Sequence, residues 1–258
     1  MVFDPTTVVY GAAVGLSLGL TGGGGSILAI PILVYGLGIP ISQAVVISLL
    51  MVASIALFGA VKQSFSRSVD WRAALIFSIT GMLVSPLVIY VAHDINETLR
   101  LTLFAVLMLF VAYKMVVPSQ KPMNALSTHQ PSPIKVAMGG AAAGGLSGFF
   151  GVGGGFIIVP LLTMIFAMPY RKAVSTSLAA IFLISTTAVA GAYIKGISVD
   201  WSLFILFVVG GLAGMLAGTG LVNLIPERTA KIIFAAIIAS LAIFMLIDKF
   251  FLHQGGAL

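Results

Sequence analysis

Thr21-Gly22-Gly23-Gly24-Gly25-Ser26 decides how this chain folds, because it interrupts an apolar stretch, residues 6–38, that holds no Lys, Arg, Asp, Glu or His. As one continuous helix that stretch would be about 50 Å long at ~1.5 Å per residue. The hydrocarbon core of a bilayer is only roughly 30 Å thick. Each glycine also disfavours helix by about 1 kcal/mol relative to alanine, so the helix is expected to break at the glycines. Gly151-Val152-Gly153-Gly154-Gly155 interrupts a second apolar stretch, residues 134–168, in the same way. Non-helical backbone at membrane depth is tolerated only where protein buries it or it lines a water-filled cavity. Two broken helices in matched positions point to a transporter's binding site.

The rest of the chain fits that setting. Charged residues are 8% and apolar residues 60% of the 258, and the mean hydropathy is +1.17, values of an integral membrane protein. Absence of cysteine excludes disulfides, thiolate metal sites and cysteine nucleophiles. The 13 Lys+Arg exceed the 7 Asp+Glu, but they are spread over short loops, which suits membrane orientation rather than nucleic acid. Asp4 precedes the first apolar stretch with no Lys or Arg, unlike the basic start of a cleavable signal, so residues 6–20 are expected to be retained.

Working outward from the glycines gives two repeats. The first, 1–117, holds a hairpin at 6–38 and spans at 43–62, 71–92 and 98–117. A cytoplasmic linker, 118–133, is rich in Ser, Gln, Lys and Pro. The second repeat, 134–258, holds a hairpin at 134–168 and spans at 173–194, 201–222 and 229–252. At one constant offset, Gly15, Gly19, Gly22, Gly24, Gly25, Pro31, Pro40, Ala44 and Ser48 fall on Gly144, Gly148, Gly151, Gly153, Gly154, Pro160, Pro169, Ala173 and Ser177. With the offset lengthened by a single inserted position, Asp70-Trp71, Gly81 and Glu97 fall on Asp200-Trp201, Gly211 and Glu227. This is a duplication.

Charge suggests how the halves are related. If both broken segments cross fully, the repeats are parallel and the basic residues divide eight to five between the two sides. If both are re-entrant hairpins, the second repeat is inverted. Lys62, Arg67, Arg72, Lys114, Lys121, Lys135, Arg171, Lys172, Arg228 and Lys231 then share one side, with Arg100, Lys195 and Lys249 opposite. The positive-inside rule favours the second division. The expected fold is therefore all-α and integral to the membrane: two inverted repeats, each a re-entrant Gly-rich hairpin plus three transmembrane helices, with both termini outside.

At such a tip a half-helix starts just after the glycines. Its first N–H groups have no internal partner, the end carries about half a positive charge, and glycine lets a ligand approach the backbone. Two tips meeting near the midplane would offer convergent donors to a small oxyanion. The candidate substrate-binding residues are Thr21, Gly22, Gly23, Gly24, Gly25 and Ser26, with Gly151, Val152, Gly153, Gly154 and Gly155. Ser48 and Ser177 join them as repeat-related serines one to two turns into the following helix. Gly15, Gly19, Gly144 and Gly148, at helical spacing, read instead as helix-packing positions. Most other Ser and Thr are expected to bond back to their own helix, and Arg100 to snorkel from a helix end. No Asp, Glu or His falls in the middle of a span, which argues against a carboxylate relay, a cation site or an intramembrane enzyme. The glycine runs lack the Gly-Lys-Ser/Thr ending of a nucleotide loop. No catalytic residue, metal or cofactor is expected.

These residues resemble the TauE/SafE family of sulfite exporters. The likeness lies in Gly19-Leu20-Thr21-Gly22-Gly23-Gly24-Gly25-Ser26 through Pro31, in Gly148-Phe149-Phe150-Gly151-Val152-Gly153-Gly154-Gly155 through Pro160, and in the paired Asp-Trp loops. It covers nearly the whole chain. The resemblance implies export of a sulfur-containing anion, sulfite or an organosulfonate, across the bacterial inner membrane. Ser26 stands where the second repeat has Gly155, so the tips are chemically unequal. The expected partners are a small anion and membrane lipid, with no nucleic acid, and a homodimer is one arrangement open to the chain. An anion channel filtered by the glycine tips, or a non-transporting scaffold, are the alternatives.

Overall fold

The computed structural model describes residues 5–21, 26–65, 69–92, 95–116, 133–150, 158–159, 161–162, 168–194, 196–197, 199–221 and 227–248. These residues are helical apart from short turns. In chain order the helices are α1 (Pro5–Thr21), α2 (Ser26–Pro31), α3 (Ile41–Phe65), α4 (Trp71–Ala92), α5 (Glu97–Val116), α6 (Pro133–Phe150), α7 (Tyr170–Ile194), α8 (Trp201–Leu221) and α9 (Glu227–Ile247). Pro133, counted with the linker in the sequence reading, instead opens α6, where a missing N–H costs nothing. Four helices are long and apolar enough to cross a membrane: α3, α4, α7 and α8. α5 and α9 have 20 and 21 residues, with shorter described apolar stretches, Thr98–Tyr113 and Ala235–Ile247.

Lipid explains the pattern on α4. Leu75, Ile79, Leu83 and Leu87, spaced four apart, are exposed, whereas Ala73, Ala74, Phe77, Ser78, Gly81 and Ser85 face inward. The outer stripe is more apolar than the buried one. That arrangement suits hydrocarbon outside and close backbone packing inside.

The duplication reappears as reciprocal packing. α1 lies on α8, and α6 lies on α4. A methyl added at Gly11, Gly15 or Gly19 would meet the carbonyls of Phe207, Gly211 and Met215. At Gly140, Gly144 and Gly148 it would meet those of Phe77, Gly81 and Ser85. The second set is the repeat-related image of the first on both helices. Glycine at these positions lets the backbones touch, which is the packing role read from the sequence. Helix starts repeat as well. The Asp70 carboxylate accepts the Ala73 N–H at 3.1 Å and the Asp200 carboxylate the Leu203 N–H at 3.1 Å, each capping its helix.

Directions follow from the contacts. α3 and α7 are antiparallel: Gly59 lies beside Leu178, and the Ser175 hydroxyl donates to Gln63 Oε1. Lys172 Nζ is 3.0 Å from Asp70 Oδ2, and the Asp70 N–H donates to Thr176 Oγ1 at 2.9 Å. The turn after α3 and the start of α7 are thus at one end of the bundle. The first hairpin also folds back, since Gly36 packs on the ring of Tyr10.

The reciprocal pairs differ in one respect. α4 meets α7 from Asp70 to Ile89, whereas α8 meets α3 mainly through its second half, Gly211 to Thr219. Ala73 and Ala74 are buried, while their counterparts Leu203 and Phe204 are half-exposed.

Candidate functional site

The first hairpin is built by α1 and a return arm that changes pitch. Pro31 lacks an N–H and crowds the preceding turn, and after it the chain widens into a π-helical turn, Ile32–Gly36. The Leu37 N–H reaches the Ile32 carbonyl at 3.2 Å and the Ile39 N–H the Leu33 carbonyl at 3.0 Å. The second of these bonds recurs at the equivalent place in the other repeat, from Met168 to Leu162 at 3.4 Å. Gly38, at φ +66°, then turns the chain into Pro40 and α3, a conformation glycine adopts without strain.

Of the sequence-predicted site residues, Gly22, Gly23, Gly24, Gly25, Gly151, Val152, Gly153, Gly154 and Gly155 lie outside the described residues. Thr21 ends α1, buried, and donates its hydroxyl to the Ser17 carbonyl at 2.8 Å. Its proton is used inside its own helix. Ser26 begins α2. Ser48 and Ser177 are fully buried, and Ser177 donates to the Val174 carbonyl at 2.8 Å. The structure does not bring these two serines together. With Gly59 level with Leu178 on antiparallel helices, Ser48 sits about 16 Å farther along α3 at ~1.5 Å per residue.

The helices that lead into the two glycine clusters also end far apart, contrary to the expectation that they converge near the midplane. α1 and α6 have 17 and 18 residues, about 25–27 Å at ~1.5 Å per residue, so each arm traverses most of a bilayer core. Near the end of α1, Gly19 packs on Gly218 and Thr219, and Thr219 Oγ1 is 3.4 Å from Lys62 Nζ. That is the basic end of the bundle, where Asp70 and Lys172 pair. α6 finishes at the other end, with the Phe150 ring 5.3 Å from Phe104.

There the structure corrects a second expectation. Arg100 does not snorkel. It is 3% exposed, donates Nη2 to the Phe149 carbonyl at 2.7 Å, and holds its guanidinium 5.9 Å from the Phe149 ring centre. The guanidinium therefore meets the carbonyl end of α6, where the helix dipole is negative, just before the second glycine cluster. Sequence reasoning missed it because the first turn of a helix is where a snorkelling arginine also stands. The signal available was the absence of a basic counterpart: the repeat-related position is Ala230.

Beside the end of α1 lies a cavity of about 690 Å³ between α1, α2 and α9, lined by Leu16, Thr21, Leu28, Ile237, Ser240 and Phe244 among others. Its walls are apolar apart from the hydroxyls of Ser17, Thr21 and Ser240. At the basic end the Asp70 carboxyl is held below the usual carboxylate range. The Ala73 N–H contributes most, burial opposes it, and the Lys172 ammonium adds to the lowering.

The model of the family described as sulfite exporter TauE/SafE matches residues 7–245. The chain belongs to the TauE/SafE family. It is 34% identical over 249 residues to a "Probable membrane transporter protein" of Xylella fastidiosa (strain 9a5c), covering 93% of this chain and 94% of that one. It is 27% identical over 254 residues to "Probable membrane transporter protein YunE" of Bacillus subtilis (strain 168), covering 90% and 93%. With "Probable membrane transporter protein MJ0441" of Methanocaldococcus jannaschii it shares 25% over 257 residues, covering 94% and 95%. No solved structure matches this TauE/SafE chain.

Proposed function

We propose that this protein is a secondary transporter that exports a small sulfur-containing anion, sulfite or an organosulfonate, by alternating access between two inverted repeats. The observation that carries the inverted arrangement is the 3.0 Å pair between Asp70 and Lys172. Two fully crossing broken segments would put those residues on opposite faces of the membrane, whereas two re-entrant hairpins put them on one. The antiparallel α3 and α7 and the contact of Gly36 with Tyr10 support the same reading. Both termini then lie outside and the basic end faces the cytoplasm, in the inner membrane of a bacterial cell.

Family membership and the glycine clusters support the anion. Gly22–Gly25 and Gly151–Gly155 would offer backbone N–H groups to a sulfonate or sulfite oxygen. Hydrogen bonds from neutral donors hold an anion loosely enough to release it each cycle. The test is ligand-dependent thermal stabilisation of purified protein by sulfite, sulfate, thiosulfate and methanesulfonate, for wild type, Gly24→Ala and Gly153→Ala. A stabilisation by one anion that either substitution removes supports the site. No stabilisation by any of them, in well-folded protein, removes the sulfur-anion assignment.

A further inference from the structure

We propose that the fixed positive charge of the anion site belongs to the second hairpin alone, carried by Arg100, with Ser147 and Ser85 adding hydroxyls at the same end of α6. The inference rests on the anion-transporter reading and names the residues that recognise the substrate.

Three observations converge on that end. The Arg100 guanidinium is buried and fixed to the Phe149 carbonyl at 2.7 Å. Covalent geometry keeps the Gly151 Cα within about 7.6 Å of the Phe149 Cα, at ~3.8 Å per step, so the charge lies beside the start of the cluster. Ser147, on the last turn of α6, and Ser85, whose carbonyl abuts Gly148, are both fully buried, and their hydroxyls have no partner among the described residues. Ser78, Thr102 and Thr186 instead donate to the carbonyl four residues back, the ordinary fate of such groups in apolar helices. A buried hydroxyl left unsatisfied is costly, and a polar ligand at the tip would relieve it.

The first hairpin lacks this set. The counterparts of Arg100, Ser147 and Ser85 are Ala230, Leu18 and Met215. Ser17 also has no partner among the described residues, but it lines the apolar cavity. Lys62, the cation at that end, is exposed to solvent. Arg100 brings planar N–H donors that match the spacing of oxyanion oxygens and a charge that does not titrate in the working range. In a site excluded from water this charge favours sulfite and sulfonates over neutral solutes of the same size.

The test is initial flux of sulfite and of methanesulfonate in proteoliposomes across substrate concentration, with melting curves of each protein. Arg100→Gln is expected to raise KM for both anions about tenfold or more, in line with loss of a charged hydrogen bond. Arg100→Lys should recover part of that loss, because it restores charge without the planar fork. The Ser85→Ala, Ser147→Ala double variant should raise KM by a smaller factor, and Ser17→Ala should leave it unchanged. A clasp that merely fastens α5 to α6 would lower the maximal rate or the melting temperature with KM unchanged, and that outcome overturns the proposal. If Arg100→Gln does not fold, unchanged KM in both Arg100→Lys and the double serine variant overturns it equally. Wild-type protein that moves neither anion overturns the transporter reading and this proposal together. Saturable wild-type flux with an unaltered Arg100→Gln KM overturns this proposal alone.

Discussion

One methyl group separates two neighbouring glycines of α6 in their tolerance. At Gly144 an added Cβ would land on the backbone of Gly81, whereas at Gly145 it meets only Val84 Cγ1 at 3.8 Å. Backbone cannot move aside as a side-chain end can, and overpacking costs about 1–3 kcal/mol. Gly144→Ala should therefore lower the melting temperature in detergent by several degrees and Gly145→Ala should not. Equal melting curves would refute the close approach of α4 and α6. Asp70 combines a cap and a charge, and two variants separate them. Asn caps helices well, so Asp70→Asn removes only the charge, while Asp70→Ala loses the cap too and should cost about 1 kcal/mol more. Because the Asp70 pKa is lowered in the folded protein, its ionised form stabilises the fold above the ordinary carboxylate value of about 3.9. That contribution is lost as pH falls through the lowered value. The difference in melting temperature between wild type and Asp70→Asn should be constant near neutral pH and vanish in strong acid. A difference that persists there would detach it from the carboxylate.

At the scale of elements, the hairpin makes a claim about sidedness that the chain's lack of cysteine makes easy to check. Single cysteines introduced as Thr6→Cys and Gly38→Cys should react with a membrane-impermeant maleimide from outside intact cells. Lys62→Cys and Lys172→Cys should react only after the cytoplasmic face is opened. Labelling of positions 6 and 38 from opposite faces would sink the re-entrant hairpin. Much of this was legible in the sequence. The glycine runs marked the breaks, Asp70 and Asp200 marked helix starts, and the constant offset between the halves paired helices that the structure packs reciprocally. What could not be read is what depends on a partner element. Where each arm ends follows from α1 lying on α8 and α6 on α4, and the sequence does not say which helix receives which arm. Ser48 and Ser177 are equivalent in the repeat, yet an antiparallel pair of helices carries equivalent residues apart. Arg100 at a helix end reads as solvated until α6 is seen to finish against it.

For the whole molecule, the two ends are unequal. At the basic end Asp70, Thr176, Ser175 and Gln63 join the repeats, whereas the counterpart of Lys172 is the neutral Gln43. With α8 meeting α3 mainly through its second half, the structure has the form expected of a carrier closed toward the cytoplasm. Alternating access then requires the Asp70–Lys172 contact to open once per cycle. Joining these positions as Asp70→Cys and Lys172→Cys with a short reducible crosslinker should stop transport, and reduction should restore it. Undiminished flux in the crosslinked protein would mean that this contact never opens. The exchange of arms between repeats also has a consequence for biosynthesis. The glycine face of α1 fits the backbone of α8, which the ribosome adds only after every helix from α2 to α7 has been made. At ordinary rates of synthesis that is a wait on the order of ten to forty seconds. Until then the first segment to enter the bilayer has no partner for its backbone groove, so the nascent chain needs a shielded place to linger, and a premature stop anywhere before α8 strands it there.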